Sequence, residues 1–407
     1  MDVVYSEDCL LHDPLSEYSC GQITSYGESP QRLTSIKIAM ESQPDRFRII
    51  TANDYTLAPI LSVHHQEYIQ FLHSIHNDWV SSGLGDENCP VTSEIFAHHS
   101  MLVDPNSKNA IPNLAAPRAR VGKYTFDMST TYTKDTWRST YAAAQVTLTA
   151  AHRLLEKHNA SLSSSTATGV YALCRPPGHH AACQVAGGYC FINNAAIAAR
   201  FIQNFTLEEM NTMATPFNFD FDASTIMSFT EKNSTTTSVT LEKKKIMIVD
   251  IDYHHGNGTQ SIFYDDPSVL YISLHGYPSY PYYTGATNED GTGAGKGYNI
   301  NVCLDPITTT DEAYLSALQT TLQKNTYAHQ FDADVVICSM GLDTWHENAG
   351  AGFKGVTDVH TYFKIGQLFK TVESCKGRPV LFVQEGGTTV EKLGCLATKL
   401  LSGYCSE

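Results

Sequence analysis

The sequence of 407 residues predicts a single α/β domain, residues 1–407, with a mostly parallel central sheet flanked by helices and long loops carrying the site. Three observations lead there. Short apolar, β-branched-rich runs recur along the chain, helical stretches separate them, and each run ends in a polar, often glycine-containing loop. The length exceeds the ~250–300 residues at which single cores usually stop growing, yet α/β domains with long loops reach it.

In chain order, a helix is expected over Trp137 to Lys157, then a strand over Val170 to Cys174 that runs into Arg175-Pro176-Pro177-Gly178-His179-His180. A second helix covers Asn193 to Gln203. Asn204 to Lys245 is rich in Thr, Ser, Asn and Met, has one proline and no glycine, and ends in three lysines. Its place between a helix and a strand, where a short connection is usual, marks 204–245 as a surface insertion. Ser81 to Pro117 reads as a second long irregular region. Ile246 to Val249 precedes Asp250-Ile251-Asp252-Tyr253-His254-His255-Gly256-Asn257-Gly258, and Val269 to Leu274 precedes His275-Gly276. A helix over Asp311 to Asn325 leads to Val335 to Met340, followed by Gly341-Leu342-Asp343. Val380 to Val383 precedes Gln384-Glu385-Gly386-Gly387. Apolar runs of this length suit parallel strands buried on both faces. Open α/β sheets place their sites beyond the carboxyl ends of the strands, and each polar motif falls there.

The formal charge of −15 excludes a broad nucleic-acid-binding face, which needs a basic stripe. It suits a cationic partner instead, such as a polyamine or a lysine-rich tail. The eleven cysteines are odd in number and form no CxxC pair, which points to a reducing, intracellular compartment, nucleus and/or cytoplasm. Met1-Asp2-Val3-Val4-Tyr5 lacks the basic and apolar regions of a secretory signal, and no apolar run approaches the ~20 residues of a membrane span.

The stretch from Asp250 to Gly258 is the most informative. In an extended segment residues two apart share a face, so Asp250, Asp252 and His254 are expected on one side at a spacing that suits a metal. Mixed carboxylate and imidazole ligands fit zinc or ferrous iron better than calcium. Asp343 can complete a one-His, two-Asp set with an open position, able to polarise a carbonyl and acidify water. His179 and His180 follow a stiff Pro-Pro-Gly turn, and neutral histidine is a natural proton shuttle near pH 7.

With these motifs assembled, the chain resembles the histone deacetylases and acetylpolyamine amidohydrolases of the arginase-like superfamily, over nearly its whole length. The resemblance rests on Tyr5 to Pro14, Ser29 to Leu33, Arg175 to His180, Gly187-Gly188-Tyr189-Cys190-Phe191-Ile192-Asn193-Asn194-Ala195, and Asp250 to Gln260. It implies zinc ligation by Asp252, His254 and Asp343, a general base and acid at His180, and an electrostatic partner at His179. Asp250 and Asn257 would orient the two imidazoles. Asn257, with Val121 to Asp127 and Gly285 to Tyr298, places the chain nearer the class II and polyamine branch. The family also binds potassium. The matching positions are Asp250, Asp252, His254, Ser273 and Leu274 for one site, and Phe263, Asp266, Val269 and Tyr298 for another. Substrate contacts fall on Gly188, Tyr189 and Tyr280, the tyrosines being aromatic tunnel walls, with Tyr282 and Tyr283 competing for the second wall.

Two departures stand out. Thr388 occupies the position where the family usually places a tyrosine that donates to the acetyl carbonyl, and His346-Glu347-Asn348-Ala349 replaces a usual Asp-Pro pair. Losing one oxyanion donor costs about 100–1,000-fold in rate, so weak turnover of plain acetyl-lysine is expected. The Ser/Thr-rich insertion favours deacetylation of protein lysines, on histone or other tails. The alternatives are an acetylpolyamine amidohydrolase, favoured if glutamates such as Glu94, Glu289 or Glu347 sit at the tunnel mouth, and a catalytically feeble acetyl-lysine-binding scaffold.

Overall fold

The computed structural model describes residues 1–19, 21–98, 116–160, 168–217, 219 and 243–406. Its centre is an eight-stranded, all-parallel sheet. In chain order the strands are β1 (Asp2–Tyr5), β2 (Arg48–Thr51), β3 (Gly169–Ala172), β4 (Ile246–Asp250), β5 (Val269–Gly276), β6 (Asn299–Leu304), β7 (Val335–Met340) and β8 (Val380–Gln384). Across the sheet they run β6-β5-β4-β7-β8-β3-β1-β2. The five expected strands are all present, and β1, β2 and β6 extend the sheet beyond them.

β4, β5, β7 and β8 are buried along their whole length, which is why their sequences are continuous apolar runs. β6 at one edge buries only Asn299 and Asn301, and β2 at the other has no buried residue. The expected helices lie at Thr136–Ala160, Asn194–Asn204 and Asp311–Lys324. Two helical groups flank the sheet. Helices Gln31–Glu41, Val359–Thr371 and Val390–Cys405 pack together in one, and Thr136–Ala160 packs on Asn194–Asn204 in the other. The helix Asn194–Asn204 starts where Asn193 caps it, its side chain accepting from the Ala196 N–H.

One topological feature positions the site. β4 and β7 are neighbours, with Ile246 opposite Val335 and Asp250 opposite Ser339. The chain leaves β4 towards β5 on one side and leaves β7 towards β8 on the other. This divergence opens a crevice at the strand ends, the usual seat of ligands in open α/β sheets. The antiparallel hairpin Ser16–Ser19 with Gln22–Ser25 adds a small second sheet. Most of the 204–245 segment and residues 99–115 of the second irregular region lie outside the described residues. The described start of the former holds a helix, Leu207–Met213. Among the described residues no helix is long and apolar enough to cross a membrane.

Candidate active site

Asp252 and His254 follow β4 and Asp343 follows β7, so the crevice between those strands brings them together. One ligand atom from each lies within 4.8 Å of the others. His254 Nδ1 is 3.2 Å from Asp252 Oδ1 and 2.9 Å from Asp343 Oδ2. Backbone N–H groups orient the carboxylates. Gly386 donates to Asp252 Oδ2 at 2.9 Å and Tyr253 donates to Asp343 Oδ1 at 2.8 Å. Gly386 fits only without a side chain, because a Cβ there would stand 2.5 Å from Asp252 Oδ2 and 2.7 Å from Asp343 Oδ2. Two carboxylates and an imidazole packed this closely, with no lysine or arginine ion-paired to them among the described residues, form a donor set suited to a divalent transition metal.

Asp250 stands apart from that set, contrary to the expectation of one shared face. The strand ends at Asp250 and the chain turns, with the Asp252 N–H donating to Asp250 Oδ1 at 3.1 Å. Alternation along an extended strand therefore does not continue to Asp252. Asp250 Oδ2 instead lies 3.0 Å from His179 Nδ1 and accepts the Tyr271 hydroxyl at 2.9 Å.

The two histidines have different partners. His180 Nδ1 lies 2.7 Å from Asn257 Oδ1. A carboxamide oxygen only accepts, so His180 carries its proton on Nδ1 and keeps Nε2 as a free base. Burial, then the neighbouring His179 and His254, hold His180 well below the usual imidazole range. Desolvation opposes charge on His179 as well, but the carboxylates Asp252 and Asp250 outweigh it and hold that imidazole well above the usual range. Glu385, at the end of β8, fixes the turn. Its Oε2 accepts from the Gly178 and His179 N–H groups at 2.7 and 3.2 Å, and its Oε1 accepts from Ser339 Oγ at 3.0 Å. Burial pushes the Glu385 carboxyl up to about 7.

A cavity of about 500 Å³ opens over the triad, lined by His179, His180, Tyr189 and Tyr280 among others. Tyr280 stands edge-on to His180, 5.0 Å between centroids, and its hydroxyl donates to Asp127 Oδ2 at 2.6 Å. Tyr282 and Tyr283 are 69% and 97% exposed, so Tyr280 alone forms that wall. Gly188 lies against the His180 ring with φ +55°, and a Cβ there would meet His180 Cδ2 at 2.2 Å. Ser273 lies opposite Asp250 in the sheet, with Leu274 next to it. The Phe263, Asp266 and Tyr298 carbonyls accept the N–H groups of Asp266, Val269 and Tyr271.

Four residues take site roles that the sequence reading did not assign, two of them, Asp127 and Asn348, inside segments it had singled out. Asp127 Oδ2 holds both Tyr280 and the Gly188 N–H, the latter at 2.7 Å. Glu17, on the hairpin, lines the cavity. Its Oε1 accepts the Tyr189 hydroxyl at 3.1 Å, and its Oε2 is buried with no hydrogen-bond partner. Glu28 binds the buried guanidiniums of Arg32 and Arg175. Asn348 Oδ1 accepts from the Thr388 N–H at 2.6 Å and the Thr388 hydroxyl at 3.0 Å. Thr388 reaches the cavity, but its hydroxyl hydrogen is directed at Asn348. Apart from Glu28 with Arg32, an i,i+4 pair, these pairings join distant segments and have no local sequence signature.

Comparison with known proteins agrees with this geometry. Residues 26–211 and 235–404 match the histone deacetylase domain. The chain is 31% identical over 414 residues to acetylpolyamine amidohydrolase 2 of Pseudomonas aeruginosa, covering 99% of this chain and 98% of that one. It is 36% identical over 238 residues to human histone deacetylase 9, covering 56% of this chain and 19% of that one. Among solved structures, the acetylpolyamine aminohydrolase of Burkholderia pseudomallei superimposes with a TM-score of 0.77 at 28% identity, covering 100% of this chain and 99% of that one. The chain belongs to the histone deacetylase family.

Proposed function

We propose that the protein is a zinc-dependent amidohydrolase that removes acetyl groups from acetylated polyamines. The observation carrying the substrate class is Glu17. A carboxylate with one buried, unpartnered oxygen at a cavity wall is costly unless a cation meets it. Burial raises the Glu17 carboxyl above its ordinary value, and an ammonium group of the substrate would offset that cost. The names of the full-length relatives support the same class. The preference for protein tails rested on the 204–245 segment, most of which lies outside the described residues. The glutamates first considered lie elsewhere. Glu94 faces Arg118, Glu289 accepts from Gln260 and Thr284, and Glu347 accepts from Trp345 Nε1.

Asp252, His254 and Asp343 would hold the zinc. When bound, zinc supplies Lewis-acid polarisation of the acetyl carbonyl and acidification of water. His180 Nε2 takes the proton of the attacking water, with Asn257 fixing the ring, and later delivers it to the departing amine. His179, held by Asp250, places positive charge beside the reacting carbon. Tyr189 and Tyr280 flank the methylene chain. Potassium at the set of Asp250, Asp252, His254, Ser273 and Leu274, and at the set of Phe263, Asp266, Val269 and Tyr298, belongs to the same proposal. Each carbonyl there that accepts one N–H keeps a second lone pair for a cation.

The substrate assignment is tested with Glu17→Gln. A charge-assisted hydrogen bond contributes about 1.5–3 kcal/mol, so KM for a mono-acetylated diamine should rise roughly 10–150-fold. KM for the uncharged N-acetyl alkylamine of equal length should stay unchanged. Equal effects on both would show that Glu17 does not read the cation.

A further inference from the structure

The two places where the sequence departs from the family pattern touch each other. Thr388 stands where a tyrosine is usual, and Asn348 stands in the segment that replaces Asp-Pro. Forty residues apart in sequence, they are joined by two hydrogen bonds onto a single atom, Asn348 Oδ1.

That arrangement fixes the carboxamide. A backbone N–H can only donate, so the atom facing Thr388 is the oxygen and the NH2 group points the other way. Asn348 is buried, and it lines the cavity together with Asp252, His254, Asp343 and His180. Its Nδ2 has a single contact, with the Ala349 carbonyl at 3.5 Å, which is too long to occupy either hydrogen firmly.

Three hydroxyls of the cavity are already spent. Tyr189 donates to Glu17, Tyr280 to Asp127 and Thr388 to Asn348. The guanidinium of Arg32 is committed to Glu28 and to the Glu385 and Gly387 carbonyls. Amide hydrolysis develops negative charge on the acetyl oxygen, and a preorganised donor aimed there supplies much of the rate. Asn348 Nδ2 is a side-chain donor on the Thr388 side of the cavity that this network leaves unspent.

We propose that Asn348 is a catalytic residue, whose Nδ2–H donates to the acetyl oxygen as charge develops, in the role the missing tyrosine would play. Thr388 is then a positioning residue that aims the carboxamide. In the step it assists, the water oxygen bonds to the acetyl carbon, the carbonyl π pair moves onto oxygen, and the water proton goes to His180. Collapse returns that pair, breaks the C–N bond and passes the proton to the amine, giving acetic acid and a free amine, which leave as acetate and an ammonium ion. The inference rests on the amidohydrolase reading above.

The test is Asn348→Asp in the zinc-loaded full chain. Aspartate keeps an oxygen that accepts both Thr388 bonds and replaces the NH2 donor with a carboxylate oxygen, and Asn348→Ala separates loss of the donor from the added charge. On an acetylated diamine, kcat should fall about 100-fold or more while KM stays within about threefold. On the trifluoroacetyl analogue, whose electron-poor carbonyl needs less help, the loss should be under about tenfold. Thr388→Tyr should raise kcat far more in the Asn348→Asp background than in the wild type, because a tyrosine hydroxyl then supplies the missing donor. Should the aspartate variant fold poorly, Asn348→Ala is expected to show the same kcat loss and the same rescue. An Asn348→Asp kcat within threefold of wild type, or an equal gain from Thr388→Tyr in both backgrounds, would overturn the assignment. A wild-type enzyme that binds zinc but hydrolyses no acetylated amide would instead sink the amidohydrolase reading itself.

Discussion

Glu28→Gln probes how the catalytic loop is held. The Glu28 carboxylate lies between two buried guanidiniums: its Oε1 accepts from Arg32 and, at 2.9 Å, from Arg175 Nε. Arg32 also donates to the Gly387 and Glu385 carbonyls, the latter at 2.7 Å, and Arg175 donates to the Cys9 carbonyl at 3.0 Å. Glutamine keeps the shape but removes the one negative charge facing two buried positive ones. Removing one partner of a buried ion pair costs about 3–5 kcal/mol, mostly because the remaining charge is left uncompensated. With about 2.1 cal/mol/K of unfolding entropy per residue, a chain of 407 residues has about 0.85 kcal/mol/K at its midpoint. The melting temperature should therefore drop by roughly 4–6 °C in scanning calorimetry. Because Arg32 grips the loop that presents Gly386 to Asp252, kcat should fall in the same variant. A melting temperature within about 1 °C of wild type would refute the view that Glu28 holds this cluster together.

Two further outcomes are expected. His64 is buried, accepts the Asn193 N–H on Nε2 at 2.9 Å, and faces the Cys183 carbonyl with Nδ1 at 3.3 Å, so it is held neutral. Burial lowers its pKa from 6.5 to about 4. The unfolded chain therefore binds a proton that the folded chain refuses, and the His64 contribution is complete above pH 6.5. About 3 kcal/mol should be lost as pH falls from 6.5 to 4, and His64→Gln should flatten that part of the stability profile in urea titrations. Asp343→Asn removes one charged ligand, so zinc measured by plasma mass spectrometry after dialysis should drop well below one per chain. Retention of a full equivalent would place the metal elsewhere.

The sequence made the chemistry at strand ends legible for a physical reason. Strands buried on both faces are continuous apolar runs, so the polar residues that end them stand out, and Asp252, His254, Asp343, His179 and His180 all sit there. β2 and β6 were hard to see because edge strands are partly exposed and lack such runs. Asp250 was misplaced because alternation assumes a strand that goes on, and this one stops at that residue. The role of Glu17 was invisible, and that of Asn348 unreadable even though its segment stood out, for another reason. Their roles come from long-range partners, Tyr189 and Thr388, which local sequence does not reveal. The choice of Tyr280 over Tyr282 and Tyr283 depended on loop conformation, which three tyrosines in four residues cannot reveal.

The most direct test of the account is a side-by-side measurement of kcat/KM for the zinc-loaded protein on a mono-acetylated diamine and on an acetyl-lysine peptide. The account predicts turnover of both that disappears on chelation and returns with zinc, with the diamine preferred by about tenfold or more, the low end of what one charge-assisted contact at Glu17 provides. Preference for the peptide would contradict the substrate assignment, and turnover indifferent to chelation would contradict the metal site.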